Sequence, residues 1–410
     1  MIRILFIIAT LSGMAAAAVI PLDLSIGVPL QHRGSGWLHS LDLDTPLAGD
    51  LVPLHPRRVR ITPDAAMRAA DRAATLGVTV QVVLSDAWGY HADGDWPGDS
   101  GNWENWEKYV SLWARRAKRQ GLVWEWDLWN EPDVPMFWGR SSEQHAEAWQ
   151  RGVAVLRHEL PKAVIVGPST ADNQPSSILA FLRMAQARDS LPDVVSWHEL
   201  NDQTRFSIER RIQEVRVGMK AMGLPELPIQ INEYLVRERS RIPAEVIAAW
   251  IQFERAGVDG VKSCWPDLDP GVDQIGSLQI TGLLTVDGRR RPLWWLFQAY
   301  GDSAGSSHLI GPRDGWWILA AGDDRHRRIF AAAADPVADS ILTLTCTHVT
   351  EAFSKGRISA TRLPALLDGE ALLAPAMVRV EIEIRGQEMD LRLRNTAIGE
   401  VVIIDWLAAP

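Results

Sequence analysis

Cysteine is nearly missing from this chain: 410 residues contain two, Cys264 and Cys346. Two thiols make no disulfide framework, and Cys264 falls in an apolar run, so buried free thiols are expected. Past the opening residues, no apolar run approaches the roughly 20 residues that a membrane span needs. No G-x-G-x-x-G or G-x-x-x-x-G-K-[ST] string occurs, which removes the common phosphate-cradling loops. Neither His158-Glu159 nor His198-Glu199 continues to H-E-x-x-H, which removes the zinc-protease helix. Positive charge is in deficit, with 42 Lys and Arg against 51 Asp and Glu and a net charge of −9. Such a surface repels phosphate backbones and anionic headgroups, so neither nucleic acid nor a membrane surface is the expected partner. Asp267, Asp269 and Asp273 lack the spacing of a calcium loop, and no metal or other cofactor is expected.

Tyrosine and phenylalanine are also scarce, at 4 and 8, against 19 tryptophans. An indole offers a wide flat face and one N–H, which suits stacking on the apolar face of a sugar ring; it also fills cores. The opening segment reads as an export signal over residues 1–18. Arg3 supplies the positive start, Ile4 to Thr10 the apolar stretch, and Ala16 and Ala18 an A-x-A site. Cleavage there leaves a periplasmic or extracellular chain with no stable membrane insertion.

From residue 33 to 302, short apolar runs alternate with amphipathic helical patterns. Strands are expected at 36–41, 58–61, 78–84, 123–129, 163–166, 194–197, 229–231 and 258–264. Helices are expected at 63–76, 103–120, 142–159, 176–188, 207–222, 243–256 and 292–300. Eight strands interleaved with helices at this spacing predict a (β/α)8 TIM barrel of the α/β class. After residue 302 the texture changes to short runs separated by Gly, Asp and Pro. Strands at 316–320, 329–333, 341–346, 377–384, 389–393 and 401–406 predict an antiparallel β-sandwich over 303–410. Residues 19–32 form a lead-in whose alternating stretch 22–26 is a candidate further strand of that sandwich.

Function in such barrels sits at the carboxyl ends of the strands. Two glutamates fall there, Glu131 in Trp129-Asn130-Glu131-Pro132-Asp133 after strand four, and Glu233 in Ile231-Asn232-Glu233-Tyr234 at strand seven. Strands four and seven face each other across a barrel mouth. Cleaving an acetal needs such a pair: one carboxylic acid protonates the leaving oxygen, and one carboxylate meets the charge developing at the anomeric carbon. Glu125 and Asp127 share strand parity with Glu131 and point inward, and Asp127 is read as the buried partner of an arginine. The acidic loop Asp93, Asp95 and Asp99 around Trp96 is read as a solvated loop.

With these motifs the sequence resembles the retaining glycoside hydrolases of clan A, and is most similar to glycoside hydrolase family 39. That group includes β-xylosidases, α-L-iduronidases and exopolysaccharide-cleaving endoglycosidases. The resemblance implies a barrel with an attached β-sandwich, Glu131 as acid/base and Glu233 as nucleophile. It implies Asn130 as the residue bonding the sugar 2-hydroxyl, Arg60 as the arginine orienting the nucleophile, Trp265 as the stacking tryptophan, and His198 beside the site. Tyr234, His39 and Trp197 complete the candidate substrate-binding set. The strand-six string Ser196-Trp197-His198-Glu199-Leu200 departs from the family pattern. A carbohydrate is the expected partner, and retention the expected outcome, since such pairs stand about 5–5.5 Å apart. Trp37, Trp88, Trp96, Trp138, Trp197 and Trp265 lie near strand ends, which predicts a groove with several stacking faces and internal cleavage of a polysaccharide. The alternatives are an exo-acting xylosidase-like enzyme, a transglycosylase and a non-catalytic glycan-binding barrel.

Overall fold

The computed structural model describes residues 17–25, 27–89, 95–265, 279–334, 340–366 and 370–410. Before the barrel, β1 (Ala17–Asp23) and β2 (Val28–Pro29) lead in. Eight parallel strands then close a barrel: β3 (Gly36–Leu38), β4 (Arg58–Ile61), β5 (Thr79–Val83), β6 (Glu125–Asp127), β7 (Val164–Thr170), β8 (Val194–Glu199), β9 (Ile229–Tyr234) and β10 (Asp259–Lys262). The helices between them start where the chain chemistry says they should. Thr62 caps Pro63–Arg68 and Ser141 caps Ser142–Glu159, each accepting a backbone N–H of the first turn. Proline opens Pro175–Ala187, Pro243–Ala256 and Pro292–Gly301, where its missing N–H costs nothing.

Boundaries depart from expectation for identifiable reasons. The first barrel strand stops at Leu38 because His39 takes a left-handed φ of 48°. The helix expected over 63–76 is two, Pro63–Arg68 and Ala70–Leu76, broken at Ala69.

The remaining strands are β11 (Ser306–Arg313), β12 (Trp316–Gly322), β13 (His326–Ala333), β14 (Ser340–Thr347), β15 (Arg357–Leu363), β16 (Ala376–Val378), β17 (Glu381–Arg385), β18 (Glu388–Thr396) and β19 (Val401–Leu407). They form two sheets, ordered β16-β15-β19-β13-β12-β11-β2 and β1-β14-β18-β17. The single strand expected over 377–384 is two strands, β16 and β17, in different sheets. β11 and β15 carry mixed, half-exposed residues and give no alternating signal. The lead-in supplies a strand to each sheet, and β1 pairs parallel with β14.

The seven-stranded sheet is buried on both faces. Trp316, Ile318, Val402, Ile404 and Trp406 pack with Ile20, Leu22, Leu342, Leu344 and Leu391 of the facing sheet. Trp317, Leu319, Phe330, Val401 and Ile403 join the barrel core instead. Continuous apolar runs such as Trp316–Ala321 follow from that double burial, as alternation is lost when both faces are covered. Sheet and barrel thus share one core. Leu319→Ala is expected to cost about 3 kcal/mol, read as a single destabilised transition in denaturant unfolding. Separate melting of barrel and sandwich, with the barrel untouched, would contradict this packing.

Candidate active site

Strand parity loads the barrel interior with polar side chains. In the lower layer Arg58 pairs with Glu125. Gln81 donates to Gln230 Oε1 at 2.8 Å, and Gln230 donates to Glu125 Oε2 at 3.0 Å. Two residues further along each strand come Arg60, Asp127 and Asn232. Arg60 donates from Nε and Nη2 to Asp127 Oδ2 at 3.0 and 2.8 Å, from Nη2 to Asn130 Oδ1 at 2.8 Å, and from Nη1 to Glu233 Oε1 at 2.8 Å. The same Asp127 oxygen accepts Ser169 Oγ at 2.9 Å and Asn232 Nδ2 at 3.0 Å. Burial opposes the Arg60 charge, but Asp127 and then Glu233 outweigh it and raise its pKa.

Two β-bulges build this layer. Between β8 and β9 the register runs Ile231 opposite Trp197 and then Glu233 opposite His198, so Asn232 is the extra residue. Between β7 and β8 it runs Pro168 opposite Ser196 and then Thr170 opposite Trp197, so Ser169 is extra. A bulge re-aims the side chains that follow it. Alternation from Gln230 would send Glu233 outward; the inserted Asn232 turns it into the barrel. The two extra residues meet, Asn232 Nδ2 donating to Ser169 Oγ at 2.7 Å.

The turn after β6 holds Glu131 at φ 44°, with its N–H donating to Ser169 O at 2.9 Å. Asn130 N donates to Ser85 Oγ, and the Asp133 carboxylate accepts the N–H groups of Ala171 and Asp172. Left-handed non-glycine residues cost on the order of 1–3 kcal/mol each and persist where surroundings over-determine them. Here Glu131, Ser169 and His39 share that conformation at strand ends. His198, fully buried, lies between the carboxylates: Nδ1 is 2.8 Å from Glu131 Oε1 and Nε2 is 3.9 Å from Glu233 Oε1. Burial opposes a charge on His198, but Glu233 and Glu131 outweigh it and raise its pKa. Burial raises the pKa of Glu233, the charge of Glu131 adds to this, and His198 and Arg60 oppose it.

Glu131, Glu233, Arg60, Asn130 and His198 are therefore brought together. His39 lies near, with Nε2 3.3 Å from Asp86 Oδ2, and its charge acts on Glu233. Trp265 is half-buried, its Nε1 donating to Leu235 O and Ser263 Oγ. Tyr234 and Trp197 are not brought to the carboxylates. Tyr234 packs outward, donating to Gly34 O and accepting from Trp250. Trp197 donates to Glu199 on the helix side of β8.

The expected row of stacking faces is not there. All 19 tryptophans lie among the described residues, and 15 are buried, including Trp37, Trp96, Trp138 and Trp197. Of the six indoles expected at the mouth only Trp88 and Trp265 are half-exposed. Asp99 is not a free loop charge: Arg140 and then Gln144 bond it, pulling its pKa down to about 2. Asp95 is in the described part of that loop, while Asp93, Asp267, Asp269 and Asp273 lie outside the described residues. Cys264 is partly and Cys346 fully buried, and both are free. The string Gly301-Asp302-Ser303-Ala304-Gly305 has serine-hydrolase spacing. It follows a helix rather than a strand, and buried Ser303 donates back to Ala299 O.

The fold, a closed parallel barrel carrying a two-sheet unit, is one that solved glycoside hydrolases share. No family model matches the sequence. A stretch of 188 residues, 44% of the chain, is 25% identical to the 3-O-β-L-arabinopyranosyl-α-L-arabinofuranosidase of Bifidobacterium pseudocatenulatum, and covers 18% of that protein's length. Among solved structures, N2152 from Neocallimastix frontalis is similar over 96% of this chain and all of its own, with a TM-score of 0.82 at 18% identity. The GH39 enzyme from Xanthomonas axonopodis pv. citri is similar over 98% of this chain and all of its own, with a TM-score of 0.69 at 16% identity.

Asp127→Ala would strand the buried Arg60 charge, and an expected loss of about 3–5 kcal/mol is measurable by denaturant unfolding. A loss the size of a surface substitution would show that Arg60 does not depend on Asp127. His198 has a raised folded pKa, so its stabilising contribution is full below an unfolded value of about 6.5 and fades as pH rises through the folded one. The stability gap between wild type and His198→Gln is therefore expected to narrow with rising pH. A gap that widens contradicts the raised imidazole.

Proposed function

We propose that this protein is a retaining glycosidase that cleaves O-glycosidic bonds by double displacement. The observation that carries the reading is the chain Glu131–His198–Glu233, with Arg60 bonded to Glu233 at 2.8 Å. Glu233 attacks the anomeric carbon, and Arg60 fixes the carboxylate that does so. Glu131 gives its proton to the leaving oxygen, then takes one from the water that opens the glycosyl-enzyme. Arg60 occupies the Asn130 carbonyl oxygen, which leaves the amide nitrogen to donate to a sugar hydroxyl. Non-catalytic glycan binding would need no such positioned pair.

The substrate we propose is a pentose-bearing glycan of the arabinose or xylose type. The curated relative's name supports that class. With Trp88 and Trp265 as the half-exposed indoles among the six, we favour removal of terminal sugars over internal cleavage. The opening signal-like segment supports an exported enzyme, and N-terminal sequencing of the protein recovered from its host tests this.

Glu131→Ala is expected to lower kcat on poor leaving groups by about 10²–10⁴. Activated aryl glycosides should be spared, and azide should restore turnover. Glu233→Ala should lose turnover on both. Proton NMR of the first product should show the substrate's anomeric configuration. An inverted product, or two variants that behave alike, would overturn the assignment. Early viscosity loss of an arabinoxylan with few new reducing ends would overturn terminal cleavage.

A further inference from the structure

The four-stranded sheet ends at β17, whose residues read Glu381-Ile382-Glu383-Ile384-Arg385. β17 pairs with β18 on one side, and among the described residues no strand pairs with its other side. Ile382 lies across from Leu391, and Ile384 from Met389, so all four share the inner face of the sheet. Their exposures differ sharply: Leu391 and Met389 are at 0% and 2%, Ile382 and Ile384 at 48% and 52%. The cause is topological. The chain crosses from β16, the edge of the seven-stranded sheet, to β17, the edge of the four-stranded one. β16 is only three residues long, and Met377 on it is exposed as well. The sandwich therefore stays open along this side. A five-residue edge with an uncovered apolar face is a template for pairing with another strand.

The β17 sequence is complementary to itself. Laid antiparallel against a second copy about a two-fold axis at Glu383, it sets Glu381 opposite Arg385 twice and Ile382 opposite Ile384 twice. Opposite charges and aliphatic residues directly across a ladder stabilise it. Glu381 already bonds Arg394 at 2.9 Å on the solvent face, so the added arginine would extend an existing ion pair. The single unfavourable contact is Glu383 against its own copy. We propose that the protein self-associates through β17, joining two four-stranded sheets into one of eight strands and covering Ile382 and Ile384. The arrangement is isologous and closed, with no further edge offered at that side.

Sedimentation velocity of the full chain across a concentration series tests this. A monomer–dimer equilibrium is expected for the wild type. Ile384→Lys should leave only monomer. Glu381→Arg should weaken the dimer by about tenfold or more, since two attractive pairs become repulsive. Glu383→Gln should strengthen it by removing the like-charge contact. A monomer at every concentration, a dimer indifferent to Ile384→Lys, or a dimer indifferent to Glu381→Arg would each overturn the proposal. The three substitutions lie on exposed or half-buried β17 side chains, and circular dichroism confirms that each variant is folded before it is compared.

Discussion

The ion pair of Arg60 and Asp127, at the centre of the barrel, is the contact on which the site depends. Both side chains are almost wholly withdrawn from water. Removing two charges from water costs several kcal/mol apiece, and mutual attraction repays this only with near-ideal geometry and full hydrogen bonding. An aliphatic layer would fill the barrel at lower cost. The pair earns its place by what it aims. One guanidinium, rigid and planar, bonds Asp127, Asn130 and Glu233 at once, so two candidate reacting or binding groups inherit their positions from one buried fork. Asp127 is held in turn by Ser169 and Asn232, the two residues that the bulges insert. Strand irregularity and polar layer are thus the same feature: without the bulges the donors would be missing, and Glu233 would face the helices.

His198 couples the carboxylates. Its ring nitrogens reach toward Glu131 and Glu233, and its charge is favoured by both. In a double displacement Glu233 loses its charge when it is glycosylated. A group that senses both carboxylates then links the charge of one to the proton of the other, which is the demand that the two steps place on the site.

Much of this was legible in the sequence. The barrel follows from eight apolar runs spaced by amphipathic helices, and Ser142–Glu159 and Pro243–Ala256 are bounded as their caps and prolines predict. Glu131 and Glu233 follow from strand ends and Asp127 from parity, while Asn130, Arg60 and His198 come from the family resemblance. Trp197 faces the helices by plain alternation with inward His198. Tyr234 was misplaced because the Asn232 bulge shifts parity within β9, and no residue type announces a bulge. Ser169 and Asn232 escaped notice for the same reason. The tryptophans misled in another way. An indole near a strand end looks available, but Trp138 packs edge to face on both Trp96 and Trp129, which lie tilted against each other. In this chain tryptophan does the core filling that phenylalanine and tyrosine do elsewhere. The open side of the sandwich was hidden too, since its alternation predicts one strand over 377–384 rather than two strands at the edges of separate sheets.

Double displacement requires a covalent glycosyl-enzyme, and capturing it is the most direct test. A 2-deoxy-2-fluoro pentosyl donor slows both steps by destabilising the oxocarbenium-like transition state, while its good leaving group keeps formation of the intermediate faster than its breakdown. Incubated enzyme would be digested and its peptides sequenced by mass spectrometry. The expected result is one fluoropentosyl group per chain, attached to Glu233, with loss of activity in proportion to labelling. Labelling at Glu131, or steady turnover of a natural glycoside to an inverted sugar with no labelled peptide, would contradict it.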